Sequence, residues 1–457
     1  MKKYISRAIS LILLISLFLL SSCSDEKKET DSSTSPWIFG FGSADIPIPL
    51  DSDEPLYIAG YNNGVEMTGV NDLQRANAVW IEKDGESVLL MGIDCVGLAS
   101  DTVETIRDRL GDFSKETGCD GINIFSTHTH AGIDTLGLWG HVATDGKNKE
   151  FMESLISSAV VSAHLAYQNR ADGELYYGKT MTVGLQEDSR KPNFYDPNMY
   201  QLRFAPHDSS RDGIRMIFFA AHAESLRGDN TIISRDFPGV LSDEIAERCG
   251  DSVLFVPGAI GGLIMTPVLT KGDFDAFENM KLTGKKLADA ALSISPKDEQ
   301  KVEGSLTFAS EDVELPLDNT LYMYYKFLGI LGNKVSHGRS ETGYVLHTTV
   351  GALRLGDVTL ALIPGEIFPE LVTGKEGETL RSIALSEVHE KLLVVGLCND
   401  EIGYIVPEND YLVDEKLPYF NSATDKNGED HYEETNSVGK ATSAIILNTF
   451  KKLLKKL

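Results

Sequence analysis

The sequence predicts one large α/β domain over residues 36–457, with a mixed β-sheet core between helix layers. Three observations carry this. Short apolar runs of strand length alternate with amphipathic stretches of helix length through most of the chain. Turn pairs flanked by apolar runs, at Asp84-Gly85 and Gly356-Asp357, mark hairpins, so the sheet is not purely parallel. After Ser35 there is no internal repeat, low-complexity linker or shift in composition, so nothing marks a second domain.

The N-terminus is read separately. Lys2, Lys3 and Arg7 precede an apolar stretch over 9–20 that closes in Leu20-Ser21-Ser22-Cys23. A basic flank, a short apolar region and small residues describe an export signal over 1–22 and not a membrane span. The Leu-Ser-Ser-Cys ending resembles a bacterial lipobox, which makes Cys23 the expected lipidated end of the mature protein. Residues 23–35 are polar and charged, as a solvated tether is. The expected location is the bacterial cell envelope, with the lipid anchor in a membrane and the chain facing the periplasm or the cell exterior. A net charge of −26 repels phosphates and excludes nucleic acid as a partner. Cys95, Cys119, Cys249 and Cys398 form no CxxC pattern and read as buried thiols, with one disulfide possible but not demanded.

The elements follow in order. A hairpin over 80–94 turns at Asp84-Gly85, and Ser100-Asp101-Thr102 caps a helix running to about Glu116. A short buried strand over 123–126 leads into a histidine run, and a helix follows over 151–167. Apolar strands over 216–221, 253–256 and 391–397 and a second hairpin over 351–363 complete the sheet. The last helix, 441–457, sets the stripe Ile445, Phe450, Leu453, Leu454 and Leu457 against four lysines. Docking of that stripe on the core is the expected role, ahead of contact with a membrane surface.

Chemistry concentrates at strand ends, where open α/β sheets hold their ligands. His128 and His130 stand in Ser126-Thr127-His128-Thr129-His130-Ala131-Gly132. In an extended strand, residues i and i+2 point the same way, so both imidazoles can face one pocket and offer neutral nitrogens to zinc. The same pair also suits two loop histidines satisfied by hydrogen bonds. His222 follows the strand over 216–221, and Glu366 ends another apolar run in Ile363-Pro364-Gly365-Glu366. A carboxylate at a buried strand end needs a partner, for which a metal and a helix N-terminus are the candidates.

Across 39–439 these segments resemble the neutral ceramidases, zinc amidases that cleave the N-acyl bond of ceramide. The resemblance is carried by Gly40-Phe41-Gly42-Ser43-Ala44-Asp45-Ile46, by Arg75 and Asp94, and by Ser126 to Gly132. It continues with His222 and Ser234-Arg235-Asp236, Pro364-Gly365-Glu366, Asn399 with Tyr404, and Tyr432-Glu433 with Gly439, in that order along the chain. It implies zinc held by His128, His222, Glu366 and Tyr404, with His130 beside it as acid/base or oxyanion stabiliser. Tyr432 is implied as a further catalytic hydroxyl.

The implied activity is zinc-dependent hydrolysis of an N-acyl bond, ceramide-like or in another N-acyl compound, by metal-activated water. The alternatives are a deacylase or esterase on the same scaffold, or a surface lipoprotein that binds without turnover. The chain departs from the pattern at Gly258-Ala259-Ile260-Gly261-Gly262-Leu263-Ile264-Met265-Thr266-Pro267, where the family has Gly-Asp-x-Ser-Pro. Gly262 stands for the aspartate, and Ile264, or Thr266 after a two-residue insertion, stands for the serine; Thr266 is thereby a candidate nucleophile. The polar stretch 414–430 is extra and is expected to loop near the pocket. The family's C-terminal β-sandwich is not expected in this chain.

Overall fold

The computed structural model describes residues 35–388 and 391–457. The export signal, Cys23 and the tether as far as residue 34 lie outside the described residues. The strands of the first sheet are β1 (Trp37–Asp45), β2 (Arg75–Lys83), β3 (Glu86–Ile93), β4 (Gly121–Ser126), β5 (Ala171–Met181), β6 (Asn198–Pro206), β7 (Ile214–Phe219) and β8 (Ser252–Pro257). They lie in the order β8-β7-β6-β5-β1-β2-β3-β4. The outer pairs β8·β7 and β3·β4 are parallel and the interior pairs antiparallel. A second sheet holds β9 (Leu306–Pro316), β10 (Lys334–His337), β11 (Tyr344–Leu355), β12 (Val358–Leu362) and β13 (Lys391–Val395), with β12·β13 parallel.

The expected mixed-sheet core between helix layers is present, and it is doubled. Strand alternation explains how. In β2, Val79 and Ile81 face Leu353, Leu360 and Val395 of the second sheet, while Ala78 and Trp80 turn to the opposite side. That opposite side is covered by α1 (Ser100–Arg109) and α2 (Lys149–Gln168) at one end. The helices α3 (Asp236–Cys249) and α4 (Ala276–Ser293) cover it at the other. The outer face of the second sheet is covered by α5 (Thr320–Phe327) and α6 (Thr442–Leu454). The layers therefore run helix, sheet, sheet, helix. Both predicted hairpins form; Asp84 and Gly85 take φ of 56° and 92°, the left-handed pair that a two-residue hairpin turn requires.

Three expectations change. The helix from Ser100 does not run unbroken to Glu116: it stops at Arg109, and a separate turn of helix spans Gly111–Thr117. A glycine at that point favours the break because it pays the largest backbone entropy cost in a helix. Its N-cap is Ala99, which offers no side-chain cap; Asp400 Oδ1 accepts the Ser100 N–H at 2.8 Å instead. Among the described residues the four cysteines are free thiols, and only Cys95 and Cys398 are buried, Cys249 being exposed on the last turn of α3. The terminal helix does dock, with Phe450, Leu453 and Leu454 in the core and Lys451 and Lys456 paired to Glu378 and Glu311. Among the described residues no helix is long and apolar enough to cross a membrane.

Candidate metal centre

The histidine run begins where β4 ends. Strand geometry stops at Ser126, and His128 takes φ +62°, so the two imidazoles do not converge by the simple alternation of an extended strand. The chain turns at His128 and rejoins its surroundings through Thr129, which bridges Ala223, and through His130, whose N–H donates to the Ala223 carbonyl at 2.9 Å. That pairing sets His128 and His130 against His222. A left-handed backbone at a non-glycine residue is held only by strong surroundings and collects at functional sites. Beneath the turn, buried Asp94 accepts the Thr127 hydroxyl at 3.1 Å and the Arg75 N–H at 3.0 Å. Burial pushes the Asp94 carboxyl up to about 6.

Glu366 and Tyr404 arrive together as partners in a two-residue parallel pairing of Glu366–Ile367 with Tyr404–Ile405. The ring nitrogens are oriented by backbone. His128 Nδ1 meets the Val96 carbonyl at 2.5 Å and His222 Nδ1 the Ile264 carbonyl at 2.8 Å. A carbonyl accepts only, so both Nδ1 atoms carry a proton and both Nε2 atoms point inward. His222 Nε2 lies 2.9 Å from Glu366 Oε2, His128 Nε2 3.6 Å from the same oxygen and 3.1 Å from His130 Nε2. All four residues are nearly buried. Inward imidazole nitrogens and a carboxylate around one point suit a divalent metal ion such as zinc, which would displace the proton between His222 and Glu366. The residues present fit a zinc ion, and the ligating atoms of His128, His130 and His222 all lie within 4.8 Å of one another.

Electrostatics distinguish the three imidazoles, because Glu366 draws a proton onto His222 Nε2. Burial holds His128 and His130 down to about 3, so both are neutral. Burial opposes charge on His222 as well, but the hydrogen bond and charge of Glu366 outweigh it and lift His222 to about 9. Burial raises Tyr404 well above its ordinary value, with the Glu366 charge adding to it, and the Tyr404 hydroxyl also hydrogen-bonds Glu366.

The centre opens on a cavity of about 640 Å³. His128, His130, Glu366, Tyr404 and Tyr432 line it, with Leu136, Leu138, Trp139 and Leu263 as its apolar wall. The size and the mixture of apolar wall with few polar groups are those of a small-molecule site. Tyr432 stands at the mouth, 45% exposed, its ring 6.5 Å from that of Tyr404. Asp430, at the end of the extra polar stretch, reaches the wall as expected.

Thr266 is elsewhere. It is fully buried, bonds Ser225 Oγ at 3.2 Å and does not line the cavity. Ile264 is buried too, so that segment brings no hydroxyl to the centre.

Four residues of the site escape sequence reasoning. Glu224 lies 3.7 Å from His130 Nδ1, a buried nitrogen with no hydrogen-bond partner, and accepts the Tyr61 hydroxyl. Glu401 lines the cavity, its carboxyl pushed well above the usual carboxylate range by burial and by the Glu366 charge. Arg227 is 3.7 Å from Glu224. The only signal was local: Glu224 stands two residues after His222, and Glu401 three before Tyr404.

Comparison with known proteins places this arrangement. No family model matches the chain. In sequence it is 23% identical over 340 residues to the neutral ceramidase of Drosophila melanogaster, covering 61% of this chain and 47% of that one. The chain thus spans about half the length of the curated relative it matches. In structure it superposes on the neutral ceramidase of Pseudomonas aeruginosa with a TM-score of 0.74 at 18% identity, over 92% of this chain and 74% of the other. The chain has a neutral-ceramidase-like fold. A ceramidase complexed with C2 gives a TM-score of 0.71 at 17% identity, over 92% of this chain and 75% of that one. The centre described above sits at the strand ends of that fold.

Proposed function

We propose that the protein is a zinc-dependent amidase that cleaves an N-acyl bond, ceramide-like or in another acyl amide. One observation carries the reading: the Nε2 atoms of His128 and His222 and a Glu366 oxygen converge at the floor of an apolar-walled cavity, with His130 beside them. His128, His222 and Glu366 would hold the metal, with Tyr404 as the phenol beside Glu366. When bound, zinc supplies an acidified water and polarises the acyl carbonyl.

The chain's own groups account for the rest. Leu136, Leu138, Leu263 and Trp139 exclude water and suit an acyl chain. His130 is neutral, so its ring can take a proton from the water and pass it to the leaving amine. Glu224 lies 3.7 Å from its other nitrogen, where its charge would favour the ring once it takes up a proton. With Thr266 sealed away, water is the nucleophile. The envelope location, with Cys23 lipidated and the chain facing the periplasm or the exterior, belongs to the same proposal and gives the enzyme access to lipid amides.

The test is metal content of the chain from residue 24 onward, measured with hydrolysis of a fluorescent N-acyl sphingosine and of simpler fluorescent acyl amides. One zinc per chain with amide turnover supports the reading. Zinc with turnover of esters alone replaces it with an esterase, and absence of zinc refutes it.

A further inference from the structure

Arg190 is buried outside the metal centre and collects partners from both ends of one long segment. Its Nη2 donates to Asp410 Oδ2 at 2.9 Å and to Glu434 Oε1 at 3.0 Å, its Nη1 donates to Glu433 Oε2 at 2.7 Å, and His431 Nδ1 joins the cluster by donating to Glu434 Oε1 at 2.8 Å. The guanidinium also lies 5.1 Å from the centre of the Phe368 ring, two residues beyond Glu366. Asp410 stands just ahead of the polar stretch 414–430, of which Asp430 lines the cavity, and His431, Glu433 and Glu434 follow it. Between them the only paired strands among the described residues are Ala423–Thr424 and Asp430–His431. A segment with so little regular structure is closed by what ties its ends, and here one planar, multiply donating guanidinium ties both.

Tyr432 lies between two of these partners. Its side chain is nearly half exposed, its hydroxyl meets Asn436 and its ring lies 6.5 Å from that of Tyr404, while the backbone that carries it is held on either side through His431 and Glu433. We propose that Arg190 is the positioning residue for Tyr432. It draws the ends of 411–430 together, so that Asp430 meets the cavity wall and the Tyr432 ring is presented to Tyr404. The proposal stands on this geometry whether or not the cavity cleaves amides.

Fluorine NMR of the full chain labelled with 3-fluorotyrosine tests it, the Tyr432 signal being assigned by its loss in Tyr432→Phe. In Arg190→Met the Tyr432 signal is expected to shift and broaden, while signals of tyrosines on the far side of the first sheet, such as Tyr167 and Tyr176, stay in place. Arg190→Lys, which keeps the charge and loses the fork, restores the signal only in part. Chymotrypsin cleavage within 411–430 is expected to be about tenfold faster in Arg190→Met, as local opening becomes easier. Glu433→Gln removes one arm and leaves Arg190 paired with Asp410 and Glu434, and it decides the matter if Arg190→Met fails to fold; a smaller shift of the same signal is expected. A Tyr432 signal unchanged in the folded variants overturns the proposal. Faster cleavage with that signal unchanged overturns it equally, since Arg190 would then secure the loop without setting the ring.

Discussion

Between the two sheets, side chains follow the pleat: Val79, Ile81, Leu90, Leu360 and Val395 meet in a dry layer, each no more than 1% exposed, and no non-glycine residue there has a positive φ. Around the cavity the pattern reverses. His128, Arg227 and Leu263 on its wall take φ between 57° and 64°, and carboxylates, phenols and imidazoles replace the aliphatics. Left-handed backbone costs on the order of 1–2 kcal/mol per residue. The layered core contributes the burial that holds this rim in place, so stability and function have been assigned to different parts of one domain.

That contrast can be broken from either side. The largest effect is expected at the rim: His128→Ala or Glu366→Ala should take zinc from about one per chain to near none and lower amide turnover by roughly a thousandfold or more. The urea midpoint of the metal-free protein should hardly move. Metal analysis beside urea denaturation checks both halves. Retained zinc would remove these residues from the ligand set.

In the core, Leu360→Ala should cost about 2–5 kcal/mol in urea denaturation and leave zinc stoichiometry intact in buffer. Loss of metal in that variant would show that the two regions are not separable.

Asp400 sharpens the boundary between them, because it caps α1 and is wholly buried. Burial pushes its carboxyl up to about 7, from 3.8 when unfolded. Between those values the unfolded chain has released the proton that the folded chain keeps, so folding stability falls as pH rises from about 4 to about 7. Asp400→Asn keeps the acceptor that serves Ser100, Asn333 and Glu401. It should flatten that slope and recover on the order of a few kcal/mol at pH 7.5. Denaturation at pH 5, 6, 7 and 8 measures it; an unchanged slope would place the charge cost elsewhere.

The smallest change is expected for Thr266→Ala: about 1 kcal/mol of stability from the lost bond to Ser225, and a turnover rate within a factor of about two of wild type. Collapse of the rate with zinc retained would make Thr266 the nucleophile.

Much of this was readable in advance, for local reasons. Asp84-Gly85 announces its hairpin because only small or Asx residues accept both left-handed positions. His128, His222, Glu366 and Tyr404 are marked by strand ends and by likeness to known motifs, and the structure does bring them together. Glu224 was not readable as the partner of His130, nor Arg190 as the clamp on 411–430. Each acts through single polar contacts across long separations, 163 residues from Tyr61 to Glu224 and 243 from Arg190 to Glu433, and no periodicity encodes such a contact.

By itself the sequence determined the α/β class, the strands and their turns, the docking face of the last helix and the residue types able to hold a metal, because propensity, period and turn chemistry act over a few residues. Tertiary structure alone decided that the strands divide into two stacked sheets and that His128 turns with a left-handed backbone. It also decided that Thr266 is sealed from the cavity and that Glu224 stands behind His130. Those outcomes depend on which surfaces pack against each other, and His222 and Glu366, 144 residues apart, meet only once the layers have closed.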